Sequence, residues 1–412
     1  MNARPPDAAT PFPASAFPPG SGPGRPWNRQ RLRSNNEWLL LERLRSSGPL
    51  SRAQLARDTG LSKPTVSAAL AALEEAGLAR EAGRFVPERG RTAVLYEPDP
   101  AAGYVLGVDV GRARLRVAVA DLSGQVVNRR DVPNKGRSAN AVADAVVSAA
   151  RETIAGAGLA PDAIVHAVVG SPGVWDEKRR SVRFAGNLPG WGRRGLIDRI
   201  AEGLETAVSV HNDANLAAVG EYAFGAGAGS QLFVYVLIGT GLGVGVVKDG
   251  EVLAGAHGAA GEIGLLPLPP TAGDGPAAGT LEELVSADAV VRTAVGVGMR
   301  PPLTAKQVFD AARGGDPLAE RAVGVEAERL GYALAVVSSV LDPDLVVLGG
   351  GVGGSADLLL APVERALHRL SPLRPRLAPS LLGEDVVLLG AVATALEAAR
   401  PEVFERRTAL LG

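Results

Sequence analysis

The chain is predicted to be an α/β protein in two parts, a small helical module with a hairpin wing followed by a two-lobed body. Three observations predict this. A pair of capped helices joined through a glycine turn comes early, strands alternate with helices from about residue 104 onward, and one glycine-loop pattern occurs twice. Its first copy reads Gly107-Val108-Asp109-Val110-Gly111-Arg112-Ala113, and its second reads Leu237-Ile238-Gly239-Thr240-Gly241-Leu242-Gly243. Both follow an apolar strand and run into a strand, a tight turn (Asp121-Leu122-Ser123-Gly124, then Lys248-Asp249-Gly250) and a further strand. The repeat marks an internal duplication.

A length of 412 residues accommodates two or three domains, each with its own core. Net charge is −1, yet residues 1–91 hold 14 Lys/Arg against 8 Asp/Glu while the remainder holds 29 against 36. The basic excess sits with the helical module, as a nucleic-acid footprint requires, although an ordinary solvated surface would look the same. There is no cysteine, so disulfides and thiolate metal sites are excluded and a reducing cytoplasm is expected. Membrane partners are not expected, because no apolar run approaches the roughly 18 residues a span needs. Eight prolines among the first 26 residues predict a disordered tail over 1–26.

The module is assigned to residues 27–97. Its first helix is expected over about Asn36 to Ser47, with Trp38, Leu41 and Leu44 at helical spacing and a stop at Gly48-Pro49. Ser51-Arg52-Ala53-Gln54 is a capping box for the second helix, which ends at Gly60. Ser62-Lys63-Pro64-Thr65 opens the third with a capping Ser and an early Pro, Val66, Ala69, Leu70 and Leu73 form its buried stripe, and Gly77 caps its end. Leu78 to Arg84 and Phe85 to Tyr96 then predict a hairpin carrying Arg84, Arg89 and Arg91 near its tip. This is a winged helix-turn-helix whose third helix reads the major groove of double-stranded DNA. Ser62, Lys63, Thr65, Ser67 and Ala68 are the base-reading candidates, and Arg52, Arg84, Arg89 and Arg91 the phosphate contacts. The competing reading is a three-helix packing module that touches only protein.

Pro98-Asp99-Pro100 forms a stiff junction before a body assigned to 101–412. Strands are expected at Tyr104 to Asp109, Leu115 to Asp121, Gln125 to Val127 and Ile164 to Val169, with a helix from about Ser138 to Ala155. The second lobe repeats the plan at Leu232 to Ile238, Val244 to Val247 and Glu251 to Leu253, followed by strands Leu345 to Leu348 and Val386 to Leu388. Ligands are expected at the loops between lobes.

From about Trp27 onward the chain resembles the ROK family (repressors, open reading frames and kinases), which has the actin- and hexokinase-like ATPase fold, a ribonuclease H-like fold. The motifs that carry the resemblance occur in order: Ser171-Pro172-Gly173, Asn187-Leu188-Pro189-Gly190-Trp191, Asn212-Asp213-Ala214-Asn215, Gly239-Thr240-Gly241-Leu242-Gly243, Gly261-Glu262-Ile263-Gly264 and Gly349-Gly350-Gly351. The resemblance implies that Asp213 stands where sugar kinases place the base, and that Asn187, Asn212 and Glu262 match sugar-hydroxyl ligands. His257 has a family parallel near the sugar. Asp109 and Gly111 belong to the first phosphate loop, Gly239, Thr240 and Gly241 to the second, and Gly350 and Gly351 to the adenosine side.

Three departures from the kinase pattern stand out. Arg112 and Ala113 replace a Gly and a hydroxyl residue in the first loop, Leu265 replaces the His shared between sugar and zinc, and the zinc-completing cysteines are absent around Ala278-Gly279-Thr280-Leu281. These departures imply no metal, doubtful ATP binding and lost catalysis, with Asp213 left as a vestigial base or a plain helix cap. The expected function is a transcriptional regulator, a repressor acting as a dimer or tetramer on an operator, with a sugar or sugar derivative as effector. An active ATP-dependent sugar kinase with an appended DNA-binding module is the alternative, and a ligand-independent DNA binder a third possibility.

Overall fold

The computed structural model describes residues 29–86, 92–186, 188, 190–268 and 279–409. The expected tail, Arg89, Arg91 and Asn187 lie outside these residues. The module consists of α1 (Arg29–Ser47), β1 (Leu50–Ser51), α2 (Arg52–Thr59), α3 (Lys63–Glu75), β2 (Ala79–Phe85) and β3 (Ala93–Pro98). α1 starts seven residues before the expected Asn36. Its first two turns carry no apolar stripe, but Arg, Gln and Leu are strong helix formers and extend a helix that the buried Trp38, Leu41 and Leu44 anchor. Both reciprocal bonds of the Ser51–Gln54 capping box form, and Gly60 closes α2 in the left-handed conformation at φ 73°. At the end of α3 the Gly77 amide donates to the Glu74 carbonyl and the Leu78 amide to that of Leu73. Gly77 makes this possible by adopting φ 63°. The wing is the three-stranded antiparallel sheet β1-β3-β2.

The first lobe runs β4 (Tyr104–Val110), β5 (Arg114–Asp121), β6 (Val126–Pro133), α4 (Ala139–Gly156), β7 (Ile164–Ser171), the small hairpin β8 (Val174–Asp176) and β9 (Ser181–Arg183), α5 (Leu196–Leu204), β10 (Ala207–Asn212) and α6 (Asp213–Phe224). The second runs β11 (Leu232–Ile238), β12 (Leu242–Lys248), β13 (Glu251–Val252), α7 (Leu281–Val285), α8 (Ala287–Gly296), α9 (Ala305–Arg313), α10 (Pro317–Leu341), β14 (Leu345–Gly349), α11 (Gly350–Gly353), α12 (Ala356–Leu370), β15 (Arg376–Pro379) and α13 (Val386–Ala409). The sheets are ordered β10-β7-β4-β5-β6 and β13-β12-β11-β14-β15. In each, the first strand pairs antiparallel with the second and parallel with the fourth. The duplication read from the two glycine loops is therefore a duplication of whole sheets.

One expectation is overturned. Val386 to Leu388 is not a strand but the first turn of α13. The apolar run continues at helical spacing through Ala391, Ala395 and Ala399, all buried, so the burial period is that of a helix.

The last helix of each lobe is exchanged between the sheets. α6 leaves the first lobe to pack on β11 and β12, while α13 leaves the second lobe to pack on β4 and β7, and the two helices cross each other. Glycines bring them together: a Cβ on Gly390 would lie 1.8 Å from the Leu216 carbonyl oxygen, and one on Gly220 would lie 2.5 Å from that of Val386. Farther along, α13 reaches the module. Trp38 of α1 meets Phe404 edge to face at 5.0 Å between ring centres, and the Arg407 guanidinium donates to the carbonyls of Ala76 (3.2 Å) and Ala102 (2.6 Å). A cation thus caps the negative end of α3.

Candidate functional site

The amino-terminal end of α3 is open to solvent. Ser62 accepts from the Thr65 amide at 3.3 Å and also shares a hydrogen bond with the Thr65 hydroxyl at 2.8 Å, so the cap is rigid. Pro64 needs no amide partner there. Ser62, Lys63, Ser67 and Ala68 are exposed and Thr65 is half-buried, while Val66, Ala69, Leu70 and Leu73 face the core. The four exposed residues form one continuous face of the first two turns. Lys63 and Arg84 make no ion pair with the described residues. Arg52 differs: its guanidinium is 3.8 Å from Glu74 and lies over the Tyr96 ring at 4.8 Å. That side chain braces α2 against α3 and the wing.

The cleft begins at the junction of β10 and α6. Asn212 is the cap of α6, its side-chain oxygen accepting from the Asn215 amide at 3.1 Å, while its side-chain nitrogen donates to the Gly173 carbonyl at 3.1 Å. Gly173 sits at φ 84°, and a Cβ there would lie 2.2 Å from the Arg183 carbonyl oxygen. Trp191 is buried and donates from its indole nitrogen to Ser171 at 2.7 Å. The Ser-Pro-Gly and Asn-Asp motifs and the Trp of Asn-Leu-Pro-Gly-Trp are thereby tied together.

Asp213 accepts from the Ala214 amide at 2.9 Å. Burial, above all, and then the charges of Asp109 and Glu262 raise its pKa to about 7. Asp109 lies at the end of β4 in the first lobe and Glu262 before a short 3-10 turn in the second. Asp213 therefore stands where the two lobes face each other. Burial, followed by the charge of Glu282, also raises Glu262. Glu282 accepts from the Leu242 amide at 3.0 Å, next to the second glycine loop. His257 is exposed on a loop whose Gly258 abuts Val174 of the small hairpin. Leu265 is exposed as well.

The second loop is a tight turn in which the Gly239 amide donates to the Gly241 carbonyl at 3.0 Å, with Thr240 exposed at its tip. Gly350, at φ 81°, is pressed against the end of β11, where a Cβ would lie 2.4 Å from the Ile238 carbonyl oxygen. At Gly239 and Gly351, by contrast, an added Cβ would meet nothing within 4 Å. Packing within the protein does not demand glycine at these two positions.

The first loop is occupied differently. Arg112 and Ala113 form the exposed tip of a two-residue hairpin closed by the Gly111 amide on the Arg114 carbonyl at 3.0 Å. The register then sets Arg116 directly opposite Asp109. Its guanidinium contacts Asp109 at 3.2 Å, Asp131 at 3.6 Å and Glu384 at 2.6 Å. Burial still raises the Asp109 pKa to about 6 despite the favourable Arg116 charge. The sequence reading found Arg112 and missed Arg116, which takes the carboxylate itself. Counting the hairpin register outward from the Arg112-Ala113 tip would have revealed the pair.

Asp109, which the sequence assigns to the first phosphate loop, is thus engaged by a guanidinium of its own hairpin. Zinc does not fit, since the chain has no cysteine and the described residues contain no cluster of three His, Asp or Glu able to hold a metal. No helix among the described residues is long and apolar enough to cross a membrane.

Comparison with known proteins places these observations. A profile of the ROK family matches residues 105–398, and one of the MarR family matches residues 33–91. The chain is 32% identical to a glucokinase of Halalkalibacterium halodurans over 70% of its own length and 93% of that protein. It is 26% identical to a putative xylose repressor of a Caldicellulosiruptor species over 89% of its length and 96% of the relative. Among solved structures, a ROK family transcriptional regulator described as a homologue of the Escherichia coli Mlc protein superposes with a TM-score of 0.74 at 23% identity, covering 92% of this chain and 99% of that one. This last likeness includes the module as well as the body.

Proposed function

Because the chain belongs to the ROK family and carries a MarR-type winged helix ahead of the family domain, we propose that it is a DNA-binding transcriptional regulator whose kinase-like body senses a sugar or sugar derivative. The observation that carries this reading is the free amino-terminal face of α3, with Ser62, Lys63, Ser67 and Ala68 exposed on a helix whose other face is buried. A helix end of this kind is what enters a major groove. Lys63 on that face is a candidate base reader, and Arg84, without an ion pair among the described residues, supplies positive charge for the phosphates.

The effector site in this proposal is the cleft at Asn212, Asp213 and Glu262 with His257 beside it, joined by Asn187 on the strength of the sequence motif alone, since that residue lies outside the described ones. An amide and carboxylates together offer the donors and acceptors a vicinal diol needs. The Arg116–Asp109 pair supports loss of phosphoryl transfer, because the first loop's carboxylate is neutralised from within. Repression, a two-fold dimer and a cytoplasmic location complete the proposal. Two-fold symmetry would present two copies of α3 to half-sites a whole number of helical turns apart. A sugar can alter DNA affinity only by its different affinity for two arrangements of the lobes.

A second reading, a sugar kinase of the glucokinase type, is favoured by one observation. Asp213, with its pKa raised to about 7, has the proton affinity of a general base working near neutral pH. One experiment separates the two: selection of bound sequences from random DNA at stated salt, repeated with a sugar panel, beside an ATP-turnover assay with the same sugars. Enrichment of a symmetric site whose occupancy one sugar changes, with no turnover, is the expected result. Turnover with a sugar and no enriched sequence would replace the regulator with the kinase.

A further inference from the structure

A cavity of about 190 Å³ lies away from the cleft, where the module meets the body. Its walls come from α1, the Gly48-Pro49 turn, the Pro98-Asp99-Pro100 junction, the β5–β6 turn and α13. Leu41, Leu44, Leu78 and Val403 give the lining its apolar part, and Arg45 and Arg400 line it as well.

Direct ion pairs around it are unevenly shared. Arg45 is paired with Glu42, three residues earlier on α1. Glu97 and Asp99 at the junction are both engaged by Arg80, at 2.8 and 3.7 Å. Arg400 has no carboxylate within ion-pair distance among the described residues, and donates only to the Leu122 carbonyl, at 3.1 and 3.3 Å. A guanidinium has five N–H donors in a planar fork, so this bond leaves most of its capacity unused. Burial, with the nearby Arg45 charge adding to it, lowers the Arg400 pKa to about 10 against the opposing charges of Glu42, Glu397 and Asp121, and burial lowers Arg45 against Glu42. Carboxylates act on Arg400 from a distance, but its remaining N–H donors have no acceptor among the described residues, and leaving such donors unused in a buried place is costly.

We propose that this cavity is a second ligand site, distinct from the sugar cleft, and that it takes a compact monocarboxylate with an apolar ring or branched body. The unused N–H donors of Arg400 ask for acceptors, and their planar fork matches the two oxygens of a carboxylate. A void of roughly 150 Å³ holds benzene, so 190 Å³ holds a six-membered ring bearing a carboxylate. Inorganic phosphate lacks the apolar body and carries more charge than Arg400 alone offsets. The site is independent of the cleft reading, since it shares none of the cleft residues.

Calorimetric titration of the full chain with benzoate and, separately, with inorganic phosphate tests it. Benzoate should bind saturably at one site per chain, Arg400→Gln should weaken it at least about tenfold, and Asp213→Asn should leave it unchanged. Ser123→Trp, at an exposed position lining the cavity, should block it and serves if Arg400→Gln does not fold. Absence of benzoate saturation in folded protein, equal affinity in both cavity variants, or tighter binding of phosphate than of benzoate would each overturn the proposal.

Discussion

Asp213 holds its proton to about pH 7 in the folded chain, whereas an unfolded Asp loses it near pH 3.9. Between those values the folded state binds more protons than the unfolded one, so this group's contribution to stability falls as pH rises through that window and is flat above it. Asp213→Asn keeps an oxygen for the Ala214 amide and removes the charge. It should therefore be more stable than the parent at pH 8, by roughly 1–3 kcal/mol, and near-equal at pH 4, as read by urea denaturation at the two pH values. Sugar-dependent changes in DNA affinity should be lost in the same variant. On the DNA side, Lys63→Ala should cost about 1–3 kcal/mol at the preferred site. Arg84→Ala should instead weaken all sequences alike and lower the salt slope by about one, measured by fluorescence anisotropy at several salt concentrations. The caps at Ser51 and Ser62 were legible because a cap is local, decided by residues three apart. Arg116 was not, because its meaning depends on strand register, and pairing with Asp109 becomes visible only once the hairpin tip is fixed at Arg112-Ala113.

At the scale of elements, the crossing of α6 and α13 depends on two glycines. Gly390→Ala places a methyl 1.8 Å from a carbonyl oxygen of the facing helix, and backbone cannot yield as a flexible side chain would. The variant should lose at least about 3 kcal/mol, or fail to accumulate as folded protein, measured by thermal midpoint and soluble yield. Arg407→Ala should cost about 1–2 kcal/mol by removing both the cation at the end of α3 and its carbonyl hydrogen bonds. Most strands of the two sheets were legible from their apolar runs. The exceptions have physical reasons: β10 and β15 are edge strands with short, mixed patterns, β15 ends in Pro379, and the apolar Val386 to Leu388 fits either a strand or a helix until the burial of Ala391, Ala395 and Ala399 decides for the helix.

At the scale of the molecule, one helix joins everything. α13 covers the first lobe's sheet, crosses the helix whose amino terminus bears Asp213, borders the cavity through Arg400 and holds the DNA-reading module through Phe404 and Arg407. Ending the chain at residue 398 should leave the second lobe's hydrogen exchange unchanged and raise exchange across α1 and α3, since Trp38 would lose Phe404 and α3 its cation. The same arrangement sets the timing of biosynthesis. The first lobe's sheet has been translated by residue 212, but the helix that covers it begins at residue 386. At ordinary elongation speeds that interval lasts on the order of ten to thirty seconds, during which the apolar face of β4 and β7 and the underside of the module stay bare on the ribosome. Nascent chains stalled within it should be protease-sensitive clients of hydrophobic-surface chaperones, and chains extended past residue 409 should not.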